Sequence, residues 1–294
     1  MTPAHNRRWH AAEVVGSEPS SSIGREAVRA LYREAALDMK PGLVGPAGSG
    51  AHRDMTLSTF YRSLFALRGY FPAIASLGAA GASLAELRES GRAAEAAMLR
   101  ATGGVNTHRG AIFHLGLLCA AVGALAARGA QVDARRACAW VRGAHGATLR
   151  AESRAAPATS HGLVVARALG IAGARAEAAA GYPAARRIGL PALRNALAVT
   201  GDHERAGVHA LFALVARVDD SNLAWRGGRE GLAWAQSCAR RFVGEGGALT
   251  PDWRARAAVA HRAFVVRRLS PGGSADLLAV TFLLDALDSG AWRR

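Results

Sequence analysis

Apolar residues recur at three-to-four spacing along most of the chain, and no stretch shows the sustained alternation of a half-buried strand. That pattern, with abundant alanine, predicts helices over 23–37, 57–76, 83–100, 110–128, 132–151, 158–170, 174–181, 184–199, 203–218, 228–243, 252–268 and 275–288. Glycine and proline punctuate the gaps, at Lys40-Pro41-Gly42, Gly45-Pro46, Gly78-Ala79-Ala80-Gly81, Tyr182-Pro183, Leu190-Pro191, Gly246-Gly247 and Pro271-Gly272-Gly273. No internal period is present, which argues against a solenoid. The expected fold is all-α, a single compact multi-helix bundle around a buried apolar central helix near 110–128. Residues 1–22 read as a flexible leader and 23–294 as one all-helical domain.

Composition narrows the function without naming it. With 294 residues and 50% hydrophobic side chains, the chain can bury a large core. Its net charge of +15 invites a nucleic-acid reading, yet Lys40 is the only lysine and the arginines are scattered with no aromatic-basic interleaving. A polyanionic small ligand accounts better for arginines that lie beside glycine turns, so no nucleic-acid partner is expected. Cys119, Cys138 and Cys238 are odd in number and sit among apolar neighbours, as reduced thiols of a cytoplasmic protein do. No apolar stretch follows the N-terminal Met1–Arg8, and the apolar run Ala111–Ala127 is shorter than the ~20 residues a span needs, so no membrane association is expected either.

Polar islands interrupt this framework. Gly103-Gly104-Val105-Asn106-Thr107-His108-Arg109-Gly110 packs glycines, an amide, a hydroxyl, an imidazole and a guanidinium into a turn that opens a long apolar helix. Donors at a helix start form a seat for phosphate, although Asn106 or Thr107 would equally serve as an ordinary cap. Lys40-Pro41-Gly42 and Ser49-Gly50-Ala51-His52-Arg53-Asp54-Met55 precede the second helix, which Asp54 is placed to cap if it holds no metal. Ser160-His161-Gly162 and Gly173-Ala174-Arg175-Ala176-Glu177 follow, and Arg175 and Glu177 stand too close in sequence to pair on a helix. Asp219-Asp220-Ser221-Asn222 reads as carboxylates at the unfavourable C-terminal end of a helix, where a cation would reverse the sign; a solvated turn is the plainer alternative. In Ser270–Asp276, Ser274 suits a cap and Asp276 a first turn. Histidines 52, 108 and 161 match no zinc spacing, whereas oxygen-rich islands suit Mg²⁺ completed by phosphates.

In order and together, these islands resemble the triphosphoribosyl-dephospho-CoA synthase family over roughly residues 25–288, through Lys40–Val44, Ser49–Met55, Gly103–Phe113, Ser160–Gly162, Gly173–Ala178, Asp220–Asn222 and Ser270–Ala279. Ser58-Thr59-Phe60-Tyr61-Arg62-Ser63-Leu64-Phe65-Ala66-Leu67-Arg68 is more similar to the malonate decarboxylase branch than to the citrate lyase branch. Two departures stand out: Ser221 replaces a frequent threonine, and Gly45 stands where an acid commonly follows Gly-Leu-Val.

The resemblance implies a cytoplasmic pentosyltransferase that joins ATP to 3′-dephospho-CoA and releases adenine. The product would be passed to a transferase that modifies an acyl carrier protein; a homo-oligomer is compatible with the sequence. Displacement at an anomeric carbon implies oxocarbenium character. On this basis Lys40, Gly103, Gly104, Asn106, Thr107, Arg109, Arg175, Gly272, Gly273 and Ser274 are expected to hold the nucleotide, and Asp54, Asp220 and Asp276 the Mg²⁺. Glu177, His108, His52 and His161 are the expected proton carriers. A helical Mg²⁺-dependent hydrolase of nucleotides or ADP-ribose-like compounds is the alternative activity, and a nucleotide- or nucleic-acid-binding module using the arginine excess the non-enzymatic one.

Overall fold

A computed structural model describes residues 18–155, 164–165 and 168–293. The described residues are helical and carry no strand; an isolated bridge joins Gly45 and Gly48. In chain order the helices are α1 (Glu18–Ala36), α2 (Leu57–Leu67), α3 (Tyr70–Ala79), α4 (Leu84–Ala101), α5 (Arg109–Ala126) and α6 (Ala134–Ala155). Then come α7 (Ala174–Ala179), a π turn (Ala185–Gly189), α8 (Leu190–Thr200), α9 (His203–Val215), α10 (Ser221–Gly244), α11 (Trp253–Val266) and α12 (Gly272–Ser289). The expected helix over 158–170 lies largely outside the described residues.

Several boundaries differ from the sequence reading, among them the following. Helix α1 already includes residues 18–22, part of the span read as a leader, and Ser20 and Ser22 are buried in it. The stretch 57–76 is two helices, broken at Arg68-Gly69. Helix α10 starts at Ser221 and not at 228, with Gly228 as a kink at φ 64° that a residue with a Cβ would resist.

Helix α5 runs through the centre, with buried residues on every face from Ala111 to Ala124. Its length and composition would pass for a membrane span, but 72% of it is enclosed by protein. Small residues let its neighbours reach it. A Cβ on Gly123 would lie 1.9 Å from the Ala75 carbonyl of α3, and one on Gly78 would lie 2.1 Å from the Ala120 carbonyl of α5. Backbones that close make many dispersion contacts per residue, so α3 and α5 form a tight pair. Helix α12 is buried almost as fully, and α1 packs against α3, α5 and α12. The apolar interior is one contiguous cluster reaching from Ile23 to Trp292. This packing leaves the starts of α5, α10 and α12 on one side, where the loops between helices converge.

Candidate active site

A cleft of about 1330 Å³ opens on that side, lined from every island that falls within the described residues. Its size exceeds the usual 300–1,000 Å³ of a single small-molecule site and suits two nucleotides. His52, Asp54, Asn106, Thr107, His108 and Arg109 line it, as do Arg175, Glu177, Asp220, Gly272, Gly273 and Asp276. His161 lies outside the described residues.

Asp276 is the carboxylate best placed for chemistry. It accepts the Ala111 N–H at the start of α5, with Gly110 beside it: a Cβ there would fall 2.0 Å from Oδ2. Burial, then the nearby charges of Glu34 and Asp220, push its carboxyl well above the usual range. Asp54 differs, with a side chain 65% exposed on the rim. It does not cap α2; Thr56 does, with its N–H bonded to Thr59 Oγ1 at 3.2 Å, which leaves Asp54 open to the cleft.

Several expected roles are revised by the partners the side chains already have. Asp220 does not end a helix. It N-caps α10, so it sits at the positive end of that dipole. Oδ1 accepts from Asn222 N (2.8 Å) and Leu223 N (3.3 Å), and Oδ2 from Ser274 N (2.7 Å) and Ser274 Oγ (2.9 Å). Four donors use the four lone-pair sites of an ionised carboxylate, so none remains for a metal. Burial raises the Asp220 carboxyl and these hydrogen bonds oppose the rise. Ser274 is likewise spent on this clasp between α10 and α12 and is fully buried, not a nucleotide contact.

Lys40 is 2% exposed and pairs with Glu34 Oε1 at 2.8 Å. It also donates to the Glu34 carbonyl (2.7 Å) and the Ala35 carbonyl (3.3 Å), so its three donors are committed and none is left for a phosphate. His52 is committed too. Arg226 Nη2 donates to Nδ1 at 3.1 Å, because a guanidinium has no lone pair to accept with. Nε2 therefore carries the proton and donates to Ser270 Oγ at 2.9 Å. Burial, then the Arg226 charge, lower His52 to about 4, so it pins the loop before α2 and is not a free base. Gly103 and Gly104 are exposed outside the cleft with φ of 67° and 89°, and Gly104 N bonds to the Leu99 carbonyl. They end α4 in the left-handed way that glycine favours.

Other expected residues keep open valences. Asn106 accepts Arg109 N at 3.1 Å and so caps α5, which leaves its amide NH₂ toward solvent. Arg109 is shared with Glu95 through Nε at 3.0 Å. Among the described residues, four buried polar atoms of the cleft have no hydrogen-bond partner: Thr107 Oγ1, His108 Nε2, His114 Nδ1 and Arg175 Nη1. Unsatisfied buried groups are costly, and their gathering in one cleft points to a ligand that completes them. His108 is 2% exposed, bonded through Nδ1 to Ser63 Oγ at 2.7 Å, and burial with the Lys40 charge lowers it to about 3. His114, also buried, is lowered by burial to about 4. Glu177 Oε1 accepts Ala184 N at 2.7 Å, yet burial still raises its carboxyl.

The donor set fits Mg²⁺ bound jointly with phosphate. Among the described residues no group of three or more His, Cys, Asp and Glu is arranged to enclose an ion. Mg²⁺ needs no such cage, since one or two carboxylates with substrate phosphates and water complete its shell. Asp276 and Asp54 are the carboxylates that would be available to it.

The chain matches the family ATP:dephospho-CoA triphosphoribosyl transferase (CitG) over residues 20–294. The chain belongs to that family of transferases. It is 41% identical over 266 residues, 87% of each chain, to a probable 2-(5′′-triphosphoribosyl)-3′-dephosphocoenzyme-A synthase of Citrobacter koseri. Proteins of the same printed name from Acinetobacter calcoaceticus and Albidiferax ferrireducens are 38% and 40% identical, covering 87% and 92% of each chain. No solved structure matches it.

Three cleft residues of this family member escaped the sequence reading. His114 was a lone imidazole in an apolar run, and its signal was the i, i+4 spacing from Gly110. Arg226 stands four residues beyond Asn222 and lines the same wall. Arg187 had no motif around it and is brought in by a turn type that hydrophobic spacing does not reveal.

Proposed function

We propose that the protein joins ATP to 3′-dephospho-CoA, giving 2′-(5′′-triphosphoribosyl)-3′-dephospho-CoA and adenine. The 2′-oxygen of dephospho-CoA bonds to C1′ of the ATP ribose as the bond from C1′ to the adenine nitrogen breaks. The hydroxyl proton goes to a base, and adenine leaves carrying a proton, so the triphosphate remains on the product. The reading is carried by one observation: a single cleft, large enough for both nucleotides, gathers open carboxylates, unpaired arginine nitrogen and neutral imidazoles.

Bound Mg²⁺ would offset triphosphate charge, with Asp276 and Asp54 as its protein ligands. The N–H groups of Gly272 and Gly273, at the first turn of α12, orient the phosphates together with Asn106 and Arg109. The Glu177 carboxylate, made more basic by burial, takes the hydroxyl proton. His108 stays neutral and meets the departing adenine through Nε2. The similarity of Ser58–Arg68 to the malonate decarboxylase branch supports a product destined for that enzyme's acyl carrier protein, made in the cytoplasm and passed to a carrier-modifying transferase.

Incubation with Mg²⁺, ATP and dephospho-CoA, read by mass spectrometry, tests this. Adenine and the triphosphoribosyl adduct appearing only with both substrates is the expected result. Adenine release without dephospho-CoA overturns it. A strain lacking the protein should lose malonate decarboxylase activity and keep citrate lyase activity; the opposite pattern reverses the branch.

A further inference from the structure

The wall of the cleft after α7 is built around a π turn. Leu190 N–H bonds to the Ala185 carbonyl, five residues back, instead of continuing the α-helical ladder. Pro191 accounts for the placement: in a regular helix its ring would press on the Arg187 carbonyl, four residues back, and its missing N–H leaves that carbonyl without its donor. Packing holds the widened turn in place. A Cβ on Gly189 would lie 2.2 Å from Thr281 Oγ1 of α12, so only glycine lets the turn sit so close. At the other end Glu177 fixes the start through Ala184 N. Each inserted residue rotates the N-terminal flank of the turn relative to the C-terminal flank by about 100°, so the turn decides which side chain faces the cleft.

That side chain is Arg187. It is exposed in the cleft and, among the described residues, has no ion pair or hydrogen bond. Arg175 lines the same cleft, with Nη1 buried and without a hydrogen-bond partner among the described residues. Two other cleft arginines are engaged: Arg109 with Glu95, and Arg226 with His52 and with the Ala51 and Arg268 carbonyls; Arg217 also lines the cleft, but it follows α9 and lies outside the segment that runs from α7 to the π turn. The one carboxylate between Arg175 and Arg187 in sequence, Glu177, is held by backbone N–H groups and, among the described residues, pairs with neither arginine.

We propose that the π turn sets Arg187 beside Arg175 as a two-arginine seat for the pyrophosphate bridge of the acceptor, 3′-dephospho-CoA. This rests on the transferase reading above and adds the acceptor's position to it. The open carboxylates Asp276 and Asp54 are assigned instead to a metal-bound triphosphate. The Arg175–Arg187 wall offers cations without an open metal ligand beside them, which suits a diester pyrophosphate. The acceptor's 5′-pyrophosphate and its attacking 2′-hydroxyl belong to one ribose. Seating the first on this wall brings the second toward Glu177.

Steady-state kinetics of Arg187→Ala and Arg187→Lys, with each substrate varied in turn, test the seat. Arg187→Ala should raise the KM for dephospho-CoA at least ten-fold and change the KM for ATP less than two-fold. Arg187→Lys should recover part of the loss, since it restores charge without the planar fork. Dephospho-CoA binding measured by calorimetry without ATP or Mg²⁺ should weaken by the same factor. An unchanged thermal melt is expected, because Arg187 is exposed and makes no hydrogen bond or ion pair among the described residues. A KM for dephospho-CoA within two-fold of wild type, or a rise confined to ATP, overturns the seat while leaving the transferase reading intact. Wild-type protein that makes no adduct from the two substrates overturns the reading on which it rests.

Discussion

Replacing His114 by Phe should remove a pH-dependent part of the protein's stability. The His114 ring is 3% exposed, its Nδ1 has no partner, and it packs edge-on against Tyr182 and Phe113, contacts that a phenyl ring keeps. Burial lowers its pKa from 6.5 to about 4. The unfolded chain therefore takes up a proton near pH 6.5 that the folded chain refuses until about pH 4, so this contribution is present at neutral pH and is lost as pH falls between those values. Between pH 7 and pH 5 the loss works out at about 2 kcal/mol, since most of 1.5 pK units at 1.36 kcal/mol each is realised there. Asp276, Asp220 and Glu177, whose carboxyls are raised, titrate in the opposite sense: the folded protein gains relative stability as they protonate. They are present in both proteins and cancel in the difference. Urea unfolding of wild type and His114→Phe at pH 7, 6 and 5 measures that difference directly. It should move by about 2 kcal/mol in favour of the variant as pH falls; a pH-independent difference would refute the claim that His114 is buried and neutral.

Asp220→Asn should lower stability by about 2–4 kcal/mol, because an amide NH₂ would face donors from Ser274 or from Asn222 and Leu223 that now meet carboxylate oxygens. An unchanged urea midpoint with activity lost would return Asp220 to a metal role. Asp276→Asn keeps an acceptor for Ala111 N, so it should fold normally yet reduce turnover at least ~10²-fold, seen as adenine release. Near-normal turnover would remove Asp276 from the chemistry. Gly123→Ala sets two effects against each other: helix propensity favours alanine by about 1 kcal/mol, while a Cβ 1.9 Å from the Ala75 carbonyl forces α3 and α5 apart. Overpacking of this kind costs about 3 kcal/mol, so the melting temperature should fall; a rise would show that the two helices are not so tightly opposed.

Periodicity reports which face of a segment is apolar, and for α5, α9 and α12 that was enough to place helices within a few residues of their observed bounds. Periodicity is blind to turn type, so 184–199 read as one helix and the π turn that turns Arg187 into the cleft went unseen. The islands similarly marked where the cleft would form, since polar residues ahead of apolar helices have to sit where helix starts meet. Which atoms in an island remain free is a different question, and it depends on partners far away in sequence. Asp220 and Asp276 look alike as acids near helix ends, but Asp220 meets Ser274, 54 residues on, and all its lone pairs are used. His52 is closed by Arg226 and Ser270, 174 and 218 residues away, while His108 keeps Nε2 open because its partner, Ser63, takes only Nδ1. A motif in this chain therefore identifies a cluster of chemically capable groups, and the long-range hydrogen bonds decide which of them are scaffold. The same bonds supply rigidity: with Asp220, Ser274, His52 and Lys40 holding α1, α10, α12 and their loops in register, Thr107, His108, His114 and Arg175 can keep unsatisfied atoms in a cleft that does not collapse to pair them.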